Sequence, residues 1–364
     1  MLSSDEKQEV KDILADLISI PSISGNEKEI KEYLIELFQQ KDIQVEEIEG
    51  NVVASIENDS DRALHFNAHM DTVQADRDRW DTDPFEAHIR DGKLYGLGAS
   101  DIQGSIAALV KTAEILSEKD LDVDLYFDFV VNEEVDGEGS RRLMENHDYD
   151  YFEEACVLTE PTSLEVVELG CRGNYFVKIE TQGESCHGSR PENGENAILK
   201  MKGVIDKIQK YSEEIEKHEN EDLGTPSIAI ATTIEGGDSV NKVPADCKIT
   251  CDIRTIPEFH SEAFLQLKER LDSAKVELVS DPTPPSYTGK DQEIAEICRS
   301  VIDGEFDVSE GADDSSFYEE QDINTVVLGP GDKEVIHGAN ENIELSKLYE
   351  SVEVYAEIAL RYST

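Results

Sequence analysis

Histidines and a few carboxylates are the residues of this sequence that could do chemistry. The chain has 364 residues, of which 82 are Asp or Glu and only eight are His, so a histidine carries more information than any one acidic residue. His69 and Asp71 stand two residues apart at the end of a predicted strand, where extended geometry turns both side chains the same way. An imidazole beside a carboxylate can bind a divalent cation, with the carboxylate orienting the ring. Taken alone, the pair more often describes a histidine satisfied by a neighbouring aspartate.

Four more acidic residues fall at the carboxyl ends of predicted strands. Asp101 follows a glycine-rich turn and directly precedes a predicted helix. Glu133 and Glu134 close one strand, and Glu160 closes the next. Open α/β sheets place their sites at this edge. In isolation each residue has an ordinary alternative: Asp101 could cap its helix, the two adjacent glutamates could be solvated charges, and Glu160 could be a turn residue.

His337 follows the predicted strand from Thr325 to Leu328 and a glycine-rich loop, and by itself it could be an ordinary loop histidine. Two imidazoles and three or four carboxylates at one sheet edge nevertheless exceed what one divalent ion needs. The set indicates two ions that share a bridging carboxylate. No role is assigned to a further group of histidines: His65, His88, His147, His218 and His260.

Alternating strands and helices must position these residues. Short, continuously apolar runs alternate with helical periods from the N-terminus onward, which is typical of an α/β sheet covered by helices on both faces. Around Tyr175 the pattern changes to a βαββαβ order, as in a small ferredoxin-like unit. We therefore predict an interrupted catalytic domain, residues 1–175 and 281–364, with an inserted α+β domain at residues 176–280.

The charge of the chain excludes one class of function. With 33 basic and 82 acidic side chains the formal net charge is -49, which excludes nucleic-acid binding through a basic surface. The acidic residues are spread along the whole sequence, as expected of a surface property and not of an interaction tail. We hypothesise a cytoplasm of high salt concentration, as in halophiles. The alternative is an acidic protein that docks onto a basic partner.

Cysteine usage and hydropathy bear on location. The six cysteines form no CxxC pair, which fits a reducing cytoplasm. No apolar stretch approaches the roughly 20 residues that a membrane-spanning helix needs, and the N-terminus has no signal-peptide core. We expect a cytoplasmic protein without a membrane partner.

Several motifs occur together: HMDTV from residue 69, DGKLYGLGASD from residue 91, NEE from residue 132, TEPT from residue 159, HGSRP from residue 187, and His337. In this combination, and over nearly the whole chain, the sequence resembles the co-catalytic zinc aminoacylase and carboxypeptidase family that contains acetylornithine deacetylase and succinyl-diaminopimelate desuccinylase. The resemblance implies a zinc-peptidase-like catalytic domain with a central mixed sheet. It also implies that the inserted domain is a lid that forms a homodimer.

The resemblance assigns ligands for two Zn²⁺ ions, for which Co²⁺ or Mn²⁺ could substitute. It implies that Asp101 bridges the two ions. One ion would also take His69 and Glu160, and the other would take Glu134 and His337.

The remaining roles are carried over in the same way. Glu133 would be the general base, and Asp71 would be the partner that orients His69. His187 would stabilise the oxyanion and reach into the site of the partner subunit. Asn241 and Arg254 would hold the substrate carboxylate, since a guanidinium suits that group. Without the resemblance, Arg254 could equally be a surface ion pair.

Three departures from the family pattern bear on specificity. Gln103 stands where many relatives have Lys, Leu97 stands where Arg is common, and residues 311–316 only approximate a desuccinylase motif. Every ligand position is nevertheless filled. Arg172, followed by glycine as in desuccinylases, would suit a second substrate carboxylate, whereas other motifs are more similar to those of acetylornithine deacetylases.

The leading hypothesis is a dinuclear zinc amidohydrolase acting on a small N-acyl amino acid, of the N-acetylornithine or N-succinyl-diaminopimelate type. A dipeptidase or carboxypeptidase of the same family is the alternative. A non-catalytic binding protein on the same fold would be expected to lack a ligand or the base, and none is missing from this sequence.

Overall fold

The computed structural model describes residues 1–146, 151–309 and 311–364. The chain divides into two compact units. The first comprises Met1–Gly170, Tyr287–Val308 and Asp313–Thr364, and the second comprises Cys171–Ser286 with Ser309–Ala312. The predicted insertion at residues 176–280 lies within the second unit.

Helices and strands alternate through the described residues. The helices are α1 (Ser4–Ser19), α2 (Lys28–Gln40), α3 (Gln103–Ser117), α4 (Glu133–Asp136), α5 (Glu138–Glu145), α6 (Ala197–Ile215), α7 (His260–Arg270), α8 (Glu293–Ile302), α9 (Ser315–Glu319) and α10 (Leu345–Tyr362). The strands are β1 (Gln44–Ile48), β2 (Asn51–Ile56), β3 (Arg62–His69), β4 (His88–Arg90), β5 (Lys93–Tyr95), β6 (Asp124–Val130), β7 (Glu153–Leu158), β8 (Val166–Cys171), β9 (Gly173–Gln182), β10 (Ser227–Gly236), β11 (Asp246–Thr255), β12 (Lys275–Leu278), β13 (Ser286–Tyr287), β14 (Glu305–Ser309), β15 (Asn324–Val327) and β16 (Asn342–Glu344). None of the described helices has the length and apolar character needed to cross a membrane.

A mixed sheet runs through the first unit in the order β1-β2-β6-β3-β7-β15-β8. Strand β3 lies between β6 and β7 and is parallel to both, and β15 is parallel to β7, whereas β2 and β8 pair antiparallel with their neighbours. Along β3 successive side chains alternate between two cores. Leu64 and Phe66 pack in a cluster with residues of α1, α2, α3 and α10, and Ala63 packs in a cluster with residues of α5 and α9. The predicted α/β class, with helices over both faces of the sheet, is confirmed.

The second unit contains an antiparallel sheet in the order β10-β11-β9-β12, with α6 and α7 packed against it. Its elements follow one another in the βαββαβ order expected from the sequence. Alternate residues of the two central strands, such as Val177 and Ile253, are fully buried, while the residues between them are more exposed. This period of two is what the sequence pattern indicated.

A buried polar network lies on one face of the first unit's sheet. His65 Nδ1 lies 2.7 Å from Asp128 Oδ2, and His65 Nε2 lies 2.8 Å from Glu154 Oε1. The Tyr318 hydroxyl donates to the same Asp128 oxygen at 2.8 Å. Burial alone would lower the pKa of His65, but Asp128 and then Glu154 outweigh it and raise the pKa to about 9. His65 is therefore an imidazolium at neutral pH and balances the buried carboxylate charge.

We expect this imidazolium to make stability depend on pH. Because the pKa of His65 rises from 6.5 unfolded to about 9 folded, its stabilisation is full below about pH 6.5 and is lost as pH rises to about 9. The free energy of unfolding, measured by denaturant titration at fixed salt, should decline across this interval. His65→Gln should remove this part of the decline and destabilise the protein by about 3–5 kcal/mol.

His88→Gln is the matched control, because the His88 side chain is 39% exposed. This variant should keep the pH dependence of the wild type. If His65→Gln keeps it as well, the imidazolium assignment is wrong.

Candidate metal centre

The parallel strands of the first unit bring the candidate ligands to one edge of the sheet. β3 ends at His69, and β6 ends just before α4, which begins with Glu133 and Glu134. Glu160 comes two residues after the end of β7, and His337 lies in the loop after β15. Because parallel strands present their carboxyl ends at the same edge, side chains far apart in sequence meet there.

His69, Asp101 and Glu160 form one group that could hold a metal ion, since their ligand atoms all lie within 4.8 Å of one another. His69 Nε2 is 3.1 Å from Asp101 Oδ1 and 3.5 Å from Glu160 Oε1. His69 and Asp101 are buried, and the Glu160 side chain is only 15% exposed. The group is thus a nearly enclosed set of one imidazole and two carboxylates.

Asp101, Glu134 and His337 form a second group within the same 4.8 Å limit. His337 Nε2 is 3.0 Å from Asp101 Oδ2 and 2.9 Å from Glu134 Oε2. Asp101 therefore belongs to both groups, and it directs Oδ1 toward His69 and Oδ2 toward His337. One carboxylate that faces two ligand sets is the arrangement of a bridging ligand.

The donor chemistry of both groups fits zinc. Each group offers one imidazole nitrogen and carboxylate oxygens, which are ligands that Zn²⁺ accepts. Three protein ligands per ion also leave a position for water or substrate, as in catalytic zinc sites. The same donors would accept Co²⁺ or Mn²⁺.

The electrostatics of the centre favour positive charge. Burial alone would lower the pKa of His69, but Glu160 and Asp101 raise it well above its usual value. Hydrogen bonds to Asp101 and Glu134 raise the pKa of His337 to about 10. Conversely, burial would raise the pKa of Asp101, but the two imidazoles lower it. The carboxylates of the cluster thus favour positive charge beside them. A divalent cation could supply that charge, and the imidazoles that bind it would then be neutral.

Glu133 is not a member of either ligand group among the described residues. Burial and the nearby charge of Glu160 raise its pKa well above the usual value, against the opposite effect of His69. A carboxylate of raised pKa beside the two ligand groups is suited to accept and return a proton.

The carboxylate of Asp71 contacts the residues after β6 more closely than it contacts His69. It accepts hydrogen bonds from the backbone N–H groups of Glu133 and Glu134 at 3.1 and 3.2 Å, and from Ser24 Oγ at 2.7 Å. His69 Nδ1 instead lies 2.8 Å from the backbone oxygen of Asp71, and 3.6 Å from its Oδ1. We expected both side chains to extend from one strand, but β3 ends at His69 and the carboxylate of Asp71 turns toward α4.

Two buried acidic residues near the centre were not predicted. The carboxylate of Glu341 accepts hydrogen bonds from backbone groups in the loop that carries Asp101. Asp314 accepts one from Ser140 Oγ at 2.6 Å, and its charge contributes to the raised pKa of Glu133. Asp314 lies in the stretch at residues 311–316 noted for its partial motif match, but nothing in the sequence distinguishes Glu341 from many other acidic residues.

The other predicted site residues lie in the second unit. His187 is exposed, with Nδ1 2.8 Å from Ser189 Oγ, and the backbone oxygen of Asn241 accepts a hydrogen bond from Gly188 N at 2.7 Å. His187 and Asn241 thus belong to neighbouring segments. The predicted histidine set also included His147, which lies outside the described residues.

The two arginines lie at one end of the second unit's sheet. Arg254 Nη2 and Nε both donate to Asp252 Oδ2, at 2.9 and 3.2 Å, so the ion pair left open by the sequence is present. Arg172 Nη1 donates to the backbone oxygen of Thr225 at 3.0 Å. Arg254 is in register with Asn174, two residues after Arg172, which places both arginines in the same region of this unit.

Comparison with known proteins gives relatives along the whole chain. The chain is 26% identical, over 407 aligned positions, to a probable succinyl-diaminopimelate desuccinylase of Staphylococcus aureus, covering 100% of this chain and 99% of the relative. It is 28% identical over 354 positions to an acetylornithine deacetylase of Shigella sonnei, covering 90% and 91% of the two chains.

A solved structure of an M20 family metallo-carboxypeptidase from Sulfolobus solfataricus shares the fold, with a TM-score of 0.82 at 19% identity, covering 98% of this chain and 99% of that one. The model of peptidase family M20/M25/M40 matches residues 65–361, which include every residue of both ligand groups. The chain therefore belongs to peptidase family M20/M25/M40 and is a hydrolase of amide bonds.

Proposed function

We propose that this chain is a dinuclear zinc amidohydrolase that removes the acyl group from an N-acyl amino acid, releasing a carboxylate and a free amine. The observation that carries the proposal is the position of Asp101, whose two oxygens face the two ligand groups. His69 and Glu160 would complete one set of ligands, and Glu134 and His337 the other.

The proposed mechanism assigns proton transfer to Glu133. When bound, zinc would lower the pKa of water and act as a Lewis acid toward the scissile carbonyl. Glu133 accepts a proton from the attacking water on its carboxylate and returns it to the nitrogen of the leaving amine. Asp71 supports this step, because its hydrogen bond to the Glu133 N–H fixes the start of α4.

The proposed polar contacts to substrate rest on the resemblance to the family. His187 would reach into the site of the partner subunit and donate a hydrogen bond to the carbonyl oxygen as negative charge develops there. Asn241 and Arg254 bind the carboxylate of the amino acid, and Arg172 binds a second carboxylate if the acyl group is succinyl. The relatives named as a desuccinylase and as a deacetylase support this substrate class.

Peptide hydrolysis is the second candidate function. The matching family is a family of peptidases, and attack on a peptide bond would need the same ions and the same base. A dipeptide differs from an N-acyl amino acid mainly in an added amino group on the acyl side, so substrate contacts decide between the two functions.

Hydrolysis of three substrate classes tests the proposal. We expect the zinc-loaded protein, assayed for free amine in about 1 M KCl, to hydrolyse N-acetylornithine or N-succinyl-diaminopimelate faster than any of a set of dipeptides. Chelation should abolish the activity, and added Zn²⁺ should restore it. Faster turnover of a dipeptide would favour the second candidate, and failure on all three classes would contradict both.

Glu133→Gln is the matched variant for this assay, because it keeps the size of the side chain but removes its basicity. We expect turnover to fall by about 10²–10⁴-fold, while metal analysis still finds two ions per chain. Substantial activity in this variant would show that Glu133 is not the general base.

We also propose that the protein works at high salt concentration, as the net charge of -49 suggests. Raising KCl from about 0.01 M to about 1 M shortens the screening length from about 30 Å to about 3 Å, which relieves repulsion among surface carboxylates. We expect the melting temperature to rise by about 5 °C or more across this series. An unchanged melting temperature would favour the acidic docking protein instead.

We further propose a homodimer formed through the second unit. β10 is an edge strand of its sheet, and its Ile234 is 59% exposed. Unpaired backbone groups and an exposed apolar side chain on an edge strand favour pairing with a second copy. Ile234→Asp should therefore convert a dimer to a monomer in sedimentation equilibrium.

Ile89→Asp provides the control for this experiment, since Ile89 is 57% exposed in the first unit. It should leave the dimer intact. A wild-type protein that is monomeric at all concentrations tested would exclude the proposed dimer.

A further inference from the structure

Residues 96–101 form a loop whose backbone surrounds the carboxylate of Glu341. Oε1 of Glu341 accepts hydrogen bonds from the N–H groups of Ser100 and Asp101, at 2.8 and 3.0 Å. Oε2 accepts one from the N–H of Gly98 at 3.1 Å. Consecutive N–H groups that converge in this way form a concave anion-binding site, and here a side chain of the same protein occupies it.

The cost of this arrangement argues for a specific role. Glu341 is 1% exposed, and its carboxylate lies beside Asp101, which already carries negative charge in a buried position. A buried carboxylate is unfavourable unless its oxygens accept hydrogen bonds. The three backbone N–H groups offset part of this cost, and in return the carboxylate fixes the position of each of them.

Glu341 also belongs to the segment that supplies His337. At residues 341 and 342 this segment makes two further contacts with the loop: Gly96 N donates to Glu341 O at 3.1 Å, and Ser100 Oγ donates to Asn342 O at 2.8 Å. The segment that begins with His337 therefore contacts and fixes the backbone around Asp101. His337 itself is a member of the second ligand group.

We propose that Glu341 is a positioning residue that fixes the Asp101 carboxylate so that one oxygen faces each ion. This inference rests on the proposed function, because it requires Asp101 to bridge two ions. A shared ligand must satisfy two coordination geometries at once, so a small rotation of its backbone weakens both. Constellations of this kind need placement to within about 0.5 Å.

Glu341→Gln tests the inference. The amide oxygen can still accept the hydrogen bonds from Ser100 and Asp101, but the amide NH₂ then faces the Gly98 N–H, where donor meets donor. We expect affinity for Zn²⁺, measured by calorimetric titration of the metal-free protein, to fall by about 10–100-fold. The absorption spectrum of the Co²⁺-substituted protein should change, and kcat should fall while KM stays nearly constant.

Glu168→Gln is the matched control. Glu168 is a buried carboxylate of the same unit, pairs with Lys333, and is not a member of either ligand group. Loss of the Glu168 charge should lower the melting temperature of the protein without changing its Zn²⁺ affinity or the absorption spectrum of the Co²⁺-substituted form. If Glu341→Gln behaves like this control, Glu341 is only a structural residue and the inference is wrong.

Ser100→Ala provides a second test in case Glu341→Gln does not fold. It removes the hydrogen bond that Ser100 Oγ donates to Asn342 O and the one that it accepts from Asp332 N, at 2.8 and 3.1 Å, but leaves the backbone contacts with Glu341 in place. It should therefore weaken Zn²⁺ binding in the same direction by a smaller factor. Unchanged Zn²⁺ affinity in Ser100→Ala would contradict the inference. If the wild-type protein itself binds fewer than two Zn²⁺ ions, the proposed function fails instead.

Discussion

The accumulation of buried carboxylates at one edge of the sheet is the constraint on which the rest of this site depends. Asp101, Glu134 and Glu160 lie close enough for their oxygens to share ligand sets with two imidazoles. Burial and the charges of Asp101 and other nearby carboxylates raise the pKa of Glu160, and the charge of His69 counters them. Negative charges held this close in a buried place require positive charge between them. A divalent cation supplies two positive charges in a single atom.

Acidic side chains at this edge fall into two classes that differ in the donor they face. Asp101, Glu134 and Glu160 face imidazoles and the places where ions would bind. Asp71 and Glu341 face backbone N–H groups, and each of them fixes the chain that carries a member of the first class. The same functional group can therefore face a candidate metal site or support the backbone, and the orientation of the neighbouring backbone decides which.

This division explains what sequence reasoning could and could not predict. The ends of β3, β6 and β7 were predictable because these strands are short, largely apolar runs in an alternating α/β pattern that favours a parallel sheet, so polar residues just after them should share an edge. Glu341 was not predictable, because its role depends on the path of a loop more than 200 residues earlier in the chain. The sequence paired Asp71 with His69, and Asp71 Oδ1 lies 3.6 Å from His69 Nδ1. The additional contacts of this carboxylate with α4 were not predictable, because spacing indicates a shared face only while the strand continues.

Local geometry also explains why the predicted domain boundary after residue 175 falls within β9, whereas the second unit begins at Cys171. β8 ends at Cys171 and β9 begins at Gly173, so a single residue separates the two strands and hides the boundary between them in the sequence. By contrast, the order of elements in the second unit was predictable, because apolar and polar residues alternate regularly along its strands. That alternation accounts for Arg254 as well, because Asp252 stands two residues before it on the same strand, and residues at that spacing share a face.

The Arg254–Asp252 pair bears on how an acidic protein could bind an anionic substrate. A guanidinium has five N–H donors, and Asp252 engages the Nε and Nη2 groups through one oxygen. The pair holds the plane of Arg254 in one orientation while other donors of the same guanidinium are not engaged by Asp252. The chain has a net charge of -49, and its overall electrostatic field repels an anionic substrate. An arginine fixed in this way attracts the substrate carboxylate at short range. High salt concentration would screen that long-range field far more than it would screen a partly buried contact, so substrate binding and salt tolerance are compatible demands on the same surface.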